Sequence, residues 1–330
     1  MRKFAFTMGL ALLVGPQAFA GGVVLTERPV KGPLQTTIIG DGALGEAYQS
    51  GSIAKYVCTL TALRLQRRGR LTLDQTIAEL LPEYTGALGG EVTLRDLLAN
   101  RSGIKDGVLD ALLSDENLPN TSMTALEAAN RFGQDVTGDA PGEAFDYAQT
   151  NWIIVQAILE RAGRQSMLAM ARRYVFRPAR AQSASFFIGD LESKTAPTVE
   201  GGYLPLPDFI SCAGALAATP PDLLAISRYP FVSRHFSDED REDLMTITTP
   251  EEDYTLGGRF ETVRDLTGGT RVISWQSGNN GPWSAQVIYD HVQEVGFAVV
   301  AADGDLDEVL RRRASWLQRN GLVWDEAEGQ

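Results

Sequence analysis

Two lysines in this chain follow a serine by three residues, Ser52-Ile53-Ala54-Lys55 and Ser102-Gly103-Ile104-Lys105. A serine hydroxyl attacks a carbonyl efficiently only when a neighbouring group takes its proton, and a lysine can do so once burial and nearby cations lower its pKa. Arginine cannot, so it matters that the chain has only five lysines against twenty-five arginines. Histidine offers little competition. His235 lies in Arg234-His235-Phe236 and His291 in an expected hairpin turn, and no G-x-S-x-G elbow exists, which disfavours a Ser-His-Asp hydrolase. Two separated histidines and two distant cysteines match no zinc spacing, and neither a P-loop nor a G-x-G-x-x-G fingerprint is present. The expectation is an enzyme without metal or cofactor.

The elements around the two serines separate them. Ile53, Tyr56, Val57, Leu60 and Leu63 recur at helical spacing, Arg67 and Arg68 fall in the last turn and Gly69 follows, so residues 52–68 read as a buried helix opened by Ser52. At a helix start, positions i and i+3 share a face, and free backbone N–H groups favour developing negative charge. A serine there can also act as the N-cap. Ser102, by contrast, sits in a Gly-flanked loop. Further helices are expected over 73–81, 94–98, 125–132, 150–162 and 221–227, so helices dominate the middle of the chain. Strand patterns stand at 36–39 and, after the helical stretch, at 270–275, 284–289 and 296–302, the last two as a hairpin; a helix over 306–320 closes the chain, with Gly321 as its stop.

Met1-Arg2-Lys3, an apolar run from Phe4 to Val14 and the ending Ala18-Phe19-Ala20 form a secretory signal cut after Ala20. The mature chain is therefore expected in the periplasm or outside the cell, with no stable membrane insertion after cleavage. The formal net charge of −12 repels polyanions and excludes nucleic acid as a natural partner. An oxidising compartment would let Cys58 and Cys212 pair; two buried free thiols are the alternative. Oligomeric state is not legible.

Several stretches together resemble class C β-lactamases and their relatives, which include D,D-peptidases, D-aminopeptidases and carboxylesterases. They are Gly51 to Leu81, Val92 to Ile104, Pro141 to Gly163 with the tyrosine motif, Ala213 to Leu224, and Ile273 to Trp283 with the third motif on an edge strand. The resemblance covers almost the whole mature chain. It implies an α+β, β-lactamase-like fold: an antiparallel sheet flanked by helices, built from residues 21–68 and 228–330, with an all-helical insertion over 69–227. It also implies an acyl-enzyme hydrolase whose substrate is a small molecule or peptide, namely a β-lactam, a D-amino-acid peptide or an ester.

Residue by residue, the resemblance makes Ser52 the acylated nucleophile, Lys55 its proton acceptor or the group holding the network charged, and Tyr147 the second base. The backbone N–H groups of Ser52 and Asn279 would form the oxyanion hole, while Gln149, Gln276, Ser277 and Gly278 would line the substrate site. Three departures stand out. The usual Tyr-x-Asn is Tyr147-Ala148-Gln149, one methylene longer at its last residue. The third motif begins with Gln276 where relatives carry Lys or His. Only some thirty residues precede Ser52 after the signal, which leaves either a reduced sheet or a substitute element. The altered motifs motivate a second reading, a weak or inactive relative that binds peptidoglycan-type ligands.

Overall fold

Strands from both ends of the chain build the larger of two antiparallel sheets. The computed structural model describes residues 22–40, 42, 44–115, 117–187, 206–302 and 306–324; the expected signal segment lies outside them. The strands are β1 (Gly22–Arg28), β2 (Gln35–Gly40), β3 (Tyr48–Gly51), β4 (Ser185–Phe186), β5 (Leu216–Ala218), β6 (Arg259–Asp265), β7 (Thr270–Asn280), β8 (Trp283–Asp290), β9 (Val295–Ala301) and β10 (Leu322–Trp324). Seven of them form one sheet in the order β10-β6-β7-β8-β9-β1-β2, and the other three a small sheet in the order β3-β5-β4.

The short N-terminal stretch thus supplies β1 and β2 to the seven-stranded sheet. The pairing of β1 with β9 sets Val23 opposite Ala301 and Leu25 opposite Val299. Strand β9 reads as a continuous apolar run because it is buried on both faces. Ala298 and Val300 join the main core, whereas Phe297 and Val299 join a second cluster with Val309, Trp316 and Leu317.

The helices are α1 (Ile53–Gln66), α2 (Ile77–Leu80), α3 (Leu94–Leu98), α4 (Gly107–Ser114), α5 (Ala125–Phe132), α6 (Gln149–Gly163), α7 (Met167–Ala171), α8 (Arg177–Ala179), α9 (Ser211–Gly214), α10 (Pro220–Val232), α11 (Asp238–Met245) and α12 (Leu306–Arg319). Threonines 76, 93 and 124 and Ser237 close capping boxes at the starts of α2, α3, α5 and α11. Helix α1 is mostly apolar and buried on every residue from Ile53 to Leu65, as suits a helix at the centre of a domain. Each fully buried leucine in it contributes roughly 1.5–3 kcal/mol. The helix is therefore a rigid mount for what stands at its N-terminus.

Two expectations about organisation need correction. The 69–227 segment is not all helical: β4 and β5 fall within it and pair with β3 through the Leu216 to Ala218 strand. These strands are two and three residues long and show no alternation that a sequence pattern could reveal. The expected boundary at 227/228 also falls inside α10, a single helix packed against β8, β9 and β1. No helix among the described residues is long and apolar enough to cross a membrane.

Candidate active site

Ser52 and Lys55 lie where the small sheet meets the large one. Strand β3 runs along the end of β7, and the turn from β3 into α1 delivers Ser52. This approach requires two glycines. Gly51 has φ +48°, and a Cβ on it would lie 2.6 Å from the Asn279 amide nitrogen. A Cβ on Gly278 would strike the Ser50 carbonyl and lie 2.7 Å from the Ser52 amide nitrogen. Only glycine permits the two backbones to come this close, and the contact brings the Ser52 and Asn279 amides together. Asn280 locks the junction, donating to Gln49 Oε1 at 3.1 Å and to the Gly214 carbonyl at 2.9 Å.

Ser52 does not cap α1. Its backbone is already helical and its side chain makes no cap bond. The hydroxyl instead faces Lys55, whose Nζ donates to Ser52 Oγ at 3.1 Å, to Gln149 Oε1 at 2.9 Å and to the Ala213 carbonyl at 2.5 Å. Lys55 is 1% exposed. A lysine ammonium has three protons to donate, and three acceptors meet it here. Burial lowers the Lys55 pKa, opposed by the charges of Tyr147 and Asp106. Gln149 therefore reaches the lysine despite its extra methylene.

Tyr147 stands above this network. Its ring centre is 4.8 Å from Lys55 Nζ, and it packs edge-on against the buried Tyr254 at 6.1 Å between centroids. Burial opposes ionisation of the Tyr147 phenol, but the charges of Lys55 and Arg259, with a hydrogen bond from Ser52, outweigh it and hold the pKa below the ordinary phenol value. Since Ser52 Oγ accepts from Lys55, its own proton is free to point to the Tyr147 oxygen.

Gln276 does something other than face substrate. It is 4% exposed; its Oε1 accepts from the Arg259 amide at 3.2 Å and its Nε2 donates to the Arg259 carbonyl at 3.4 Å. The guanidinium of Arg259 lies 5.2 Å from the Tyr254 ring and 5.0 Å from the Trp275 ring, with Glu252 Oε2 at 3.9 Å. Arg271, by contrast, is paired with Asp265 and Asp290. Ser277 and Gly278 are partly open and Asn279 is exposed.

The second serine–lysine pair is dismantled. Ser102 is buried, donates to Asn151 Oδ1 at 2.6 Å and accepts from the Ile104 amide at 3.0 Å. Lys105 is half exposed and pairs with Asp110 at 3.3 Å. Its neighbour Asp106, not anticipated from sequence, matters more. The Asp106 carboxylate accepts from the Gln149 amide at 2.8 Å and from the Thr150 amide and hydroxyl at 3.2 and 3.1 Å, while capping α4 through Leu109. It anchors the start of α6 and so the position of Gln149. The only sequence cue was an Asp before an apolar helical run, which points to a cap of α4 alone. Cys58 and Cys212 are joined by a disulfide, one helical turn beyond Lys55 on one side and next to Ala213 on the other, so the bridge ties the lysine's helix to its carbonyl acceptor.

Comparison with known proteins places this geometry. A family model described as Beta-lactamase matches residues 22–319. Protein flp of Staphylococcus aureus (strain MW2) is 25% identical over 152 residues, 44% of this chain and 29% of that protein. Penicillin-binding protein 4 of Amycolatopsis lactamdurans is 31% identical over 135 residues, 40% of this chain and 34% of that protein. The chain thus spans about a third of the length of these curated relatives. Among solved structures, a D-stereospecific amidohydrolase from Streptomyces sp. superposes with a TM-score of 0.74 at 19% identity, covering 88% of this chain and 92% of the other. With the family model matched from the first strand to the last helix, and the expected β-lactamase-like fold in place around Ser52, this chain belongs to the β-lactamase family.

Proposed function

We propose that the protein is an exported serine hydrolase that opens an ester or amide through an acyl-enzyme on Ser52. The observation that carries this reading is the three-acceptor environment of Lys55. With its protons committed to Ser52, Gln149 and Ala213, the lysine is held as an ammonium in the resting site, and the base falls to Tyr147, which Lys55 and Arg259 bias toward the phenolate. Tyr147 takes the Ser52 proton as Oγ attacks the carbonyl carbon. The Ser52 and Asn279 amides receive the oxyanion. Tyr147 then returns the proton to the leaving alcohol or amine, and the C–O or C–N bond breaks. In the second half, water gives a proton to Tyr147 and attacks the acyl carbon, and Ser52 Oγ leaves with that proton.

Both departures from the family motifs have substitutes: Gln149 reaches Lys55, and the cation missing at position 276 is supplied by Arg259. That favours an enzyme over an inactive binder. Export is supported by the N-terminal signal pattern and suits a chain with a disulfide. The amidohydrolase among the structural neighbours makes D-amino-acid amides a sensible first substrate panel, beside p-nitrophenyl esters and a chromogenic cephalosporin. Turnover of any of these by the wild type, lost in Ser52→Ala, supports the reading. No turnover and no acylation by any serine-directed reagent would overturn it.

A further inference from the structure

A cavity of about 610 Å³ opens on the far side of α10 and shares no residue with the Ser52 site. That size is typical of small-molecule sites. One face of α10 forms its floor: Leu224, Ala225, Arg228, Tyr229 and Val232 recur at helical spacing along it. Arg28 at the end of β1, Arg180 just past α8, and Arg234 and His235 beyond α10 also line it. Four arginines therefore line one concavity, in a chain whose formal net charge is −12.

Their counter-charge is incomplete. Glu294 holds Arg228 at 3.2 Å and Arg28 at 3.9 Å. The guanidiniums of Arg180 and Arg234 have no ion-pair or hydrogen-bond partner among the described residues. Burial, followed by the charges of Arg64, Arg234 and Arg68, pushes the His235 pKa down, and of these three arginines Arg234 lines the cavity. The His235 ring is itself held, with Nδ1 2.8 Å from the Tyr229 hydroxyl and its carbonyl accepting from Arg64 at 2.9 Å.

We propose that this cavity binds a phosphate ester, its phosphoryl group among Arg28, Arg180, Arg228 and Arg234 and its organic part against the apolar face of α10. Arginines carried on several different elements suit a tetrahedral phosphoryl group, whose charge is shared over non-bridging oxygens pointing in different directions, better than one planar carboxylate. Pro178, Pro221, Leu224 and Val232 give the rest of the ligand an apolar wall. A soluble phosphate monoester and a phospholipid headgroup both present anionic non-bridging phosphoryl oxygens, three on the monoester and two on the phosphodiester.

The test is calorimetric titration of the mature protein with phenyl phosphate and with phenylacetate at physiological salt, alongside sedimentation with phosphatidylglycerol and phosphatidylcholine vesicles. Phenyl phosphate should bind at least tenfold more tightly than phenylacetate. The double variant Arg180→Ala with Arg234→Ala should weaken it at least tenfold without moving the unfolding midpoint, because neither guanidinium holds an ion pair or hydrogen bond among the described residues. The pair Arg172→Ala with Arg173→Ala, exposed but outside the cavity, should leave binding unchanged. Selective capture by phosphatidylglycerol vesicles that phenyl phosphate competes away supports a lipid source, and phenyl phosphate binding without vesicle capture supports a soluble one. Absence of phenyl phosphate binding at millimolar concentration, or equal weakening by both double variants, overturns the proposal.

Discussion

Gln276 gives both ends of its amide to the main chain of Arg259, accepting from the amide at 3.2 Å and donating to the carbonyl at 3.4 Å. The residue that replaces the family's Lys or His is thus a strut for the neighbouring strand, and the strut carries the cation. From sequence, the neutral Gln276 predicts poor turnover of carboxylate-bearing substrates, with Gln276→Lys improving them, unless Arg259 or Arg271 supplies the charge from another position. The hold of Gln276 on Arg259 favours the Arg259 alternative. Gln276→Lys should lower activity toward carboxylate and neutral substrates alike, since a lysine cannot accept from the Arg259 amide and brings a second cation beside the first. Arg259→Gln should selectively weaken turnover of a carboxylate-bearing substrate relative to its neutral ester. Steady-state comparison of the two substrates in both variants checks this.

The pH profile follows from Tyr147. In the proposed mechanism its ionised form is the base, so activity should rise with pH through the Tyr147 pKa, which Lys55 and Arg259 hold below the ordinary phenol value of 10.0 against the opposing effect of burial. Arg259→Gln removes one of those cations and should move the acid limb of kcat/KM to higher pH. At high pH, loss of the Lys55 proton ends the support, and burial brings that limb below the ordinary lysine value of 10.5. Tyr147→Phe should remove the acid limb and slow acylation by about 10²–10⁴.

Lys55→Arg should be nearly as damaging as Lys55→Ala. Three acceptors surround a single nitrogen in a site where Lys55 is 1% exposed, and a planar fork neither fits that volume nor matches those directions. Stopped-flow acylation rates for both variants, on protein with a native unfolding transition, measure it. A wild-type rate in Lys55→Arg would reduce the lysine to a mere positive charge.

Asp106→Asn should cost about 1–3 kcal/mol of stability and also slow acylation. An asparagine keeps one acceptor oxygen, whereas Asp106 uses both on Leu109, Gln149 and Thr150. Urea unfolding with single-turnover kinetics separates the two effects. A stability loss without any change in acylation would limit Asp106 to a cap.

What the sequence made legible and what it hid divide along local and non-local physics. Helix α5 was readable to its ends, since Thr124, Glu127 and Gly133 mark it locally; α1 was readable from its apolar spacing. The choice of Ser52 over Ser102 followed from the elements that carry them. Strand β3, Tyr48 to Gly51, was invisible, because its burial comes from β5 and β7 rather than from any pattern of its own. The bond between Asp106 and α6 spans forty-three residues, and that between Gln276 and Arg259 depends on strand register. Neither leaves a trace in a window of sequence.

The central claim is that Ser52 is acylated with Lys55 and Tyr147 in support. Intact-mass spectrometry after incubation with a fluorophosphonate tests it most directly, on wild type, Ser52→Ala and Ser102→Ala. Ser52→Ala should still fold, since it loses no cap bond, but it leaves one proton of the buried Lys55 ammonium without its acceptor and should cost about 1–3 kcal/mol. Ser102→Ala should lose about 1 kcal/mol with its buried hydrogen bonds and still react. The account predicts one adduct per chain on wild type and on Ser102→Ala, mapped to Ser52, and none on Ser52→Ala. Stoichiometric labelling of a folded Ser52→Ala protein, or an unreactive folded wild type, would contradict it.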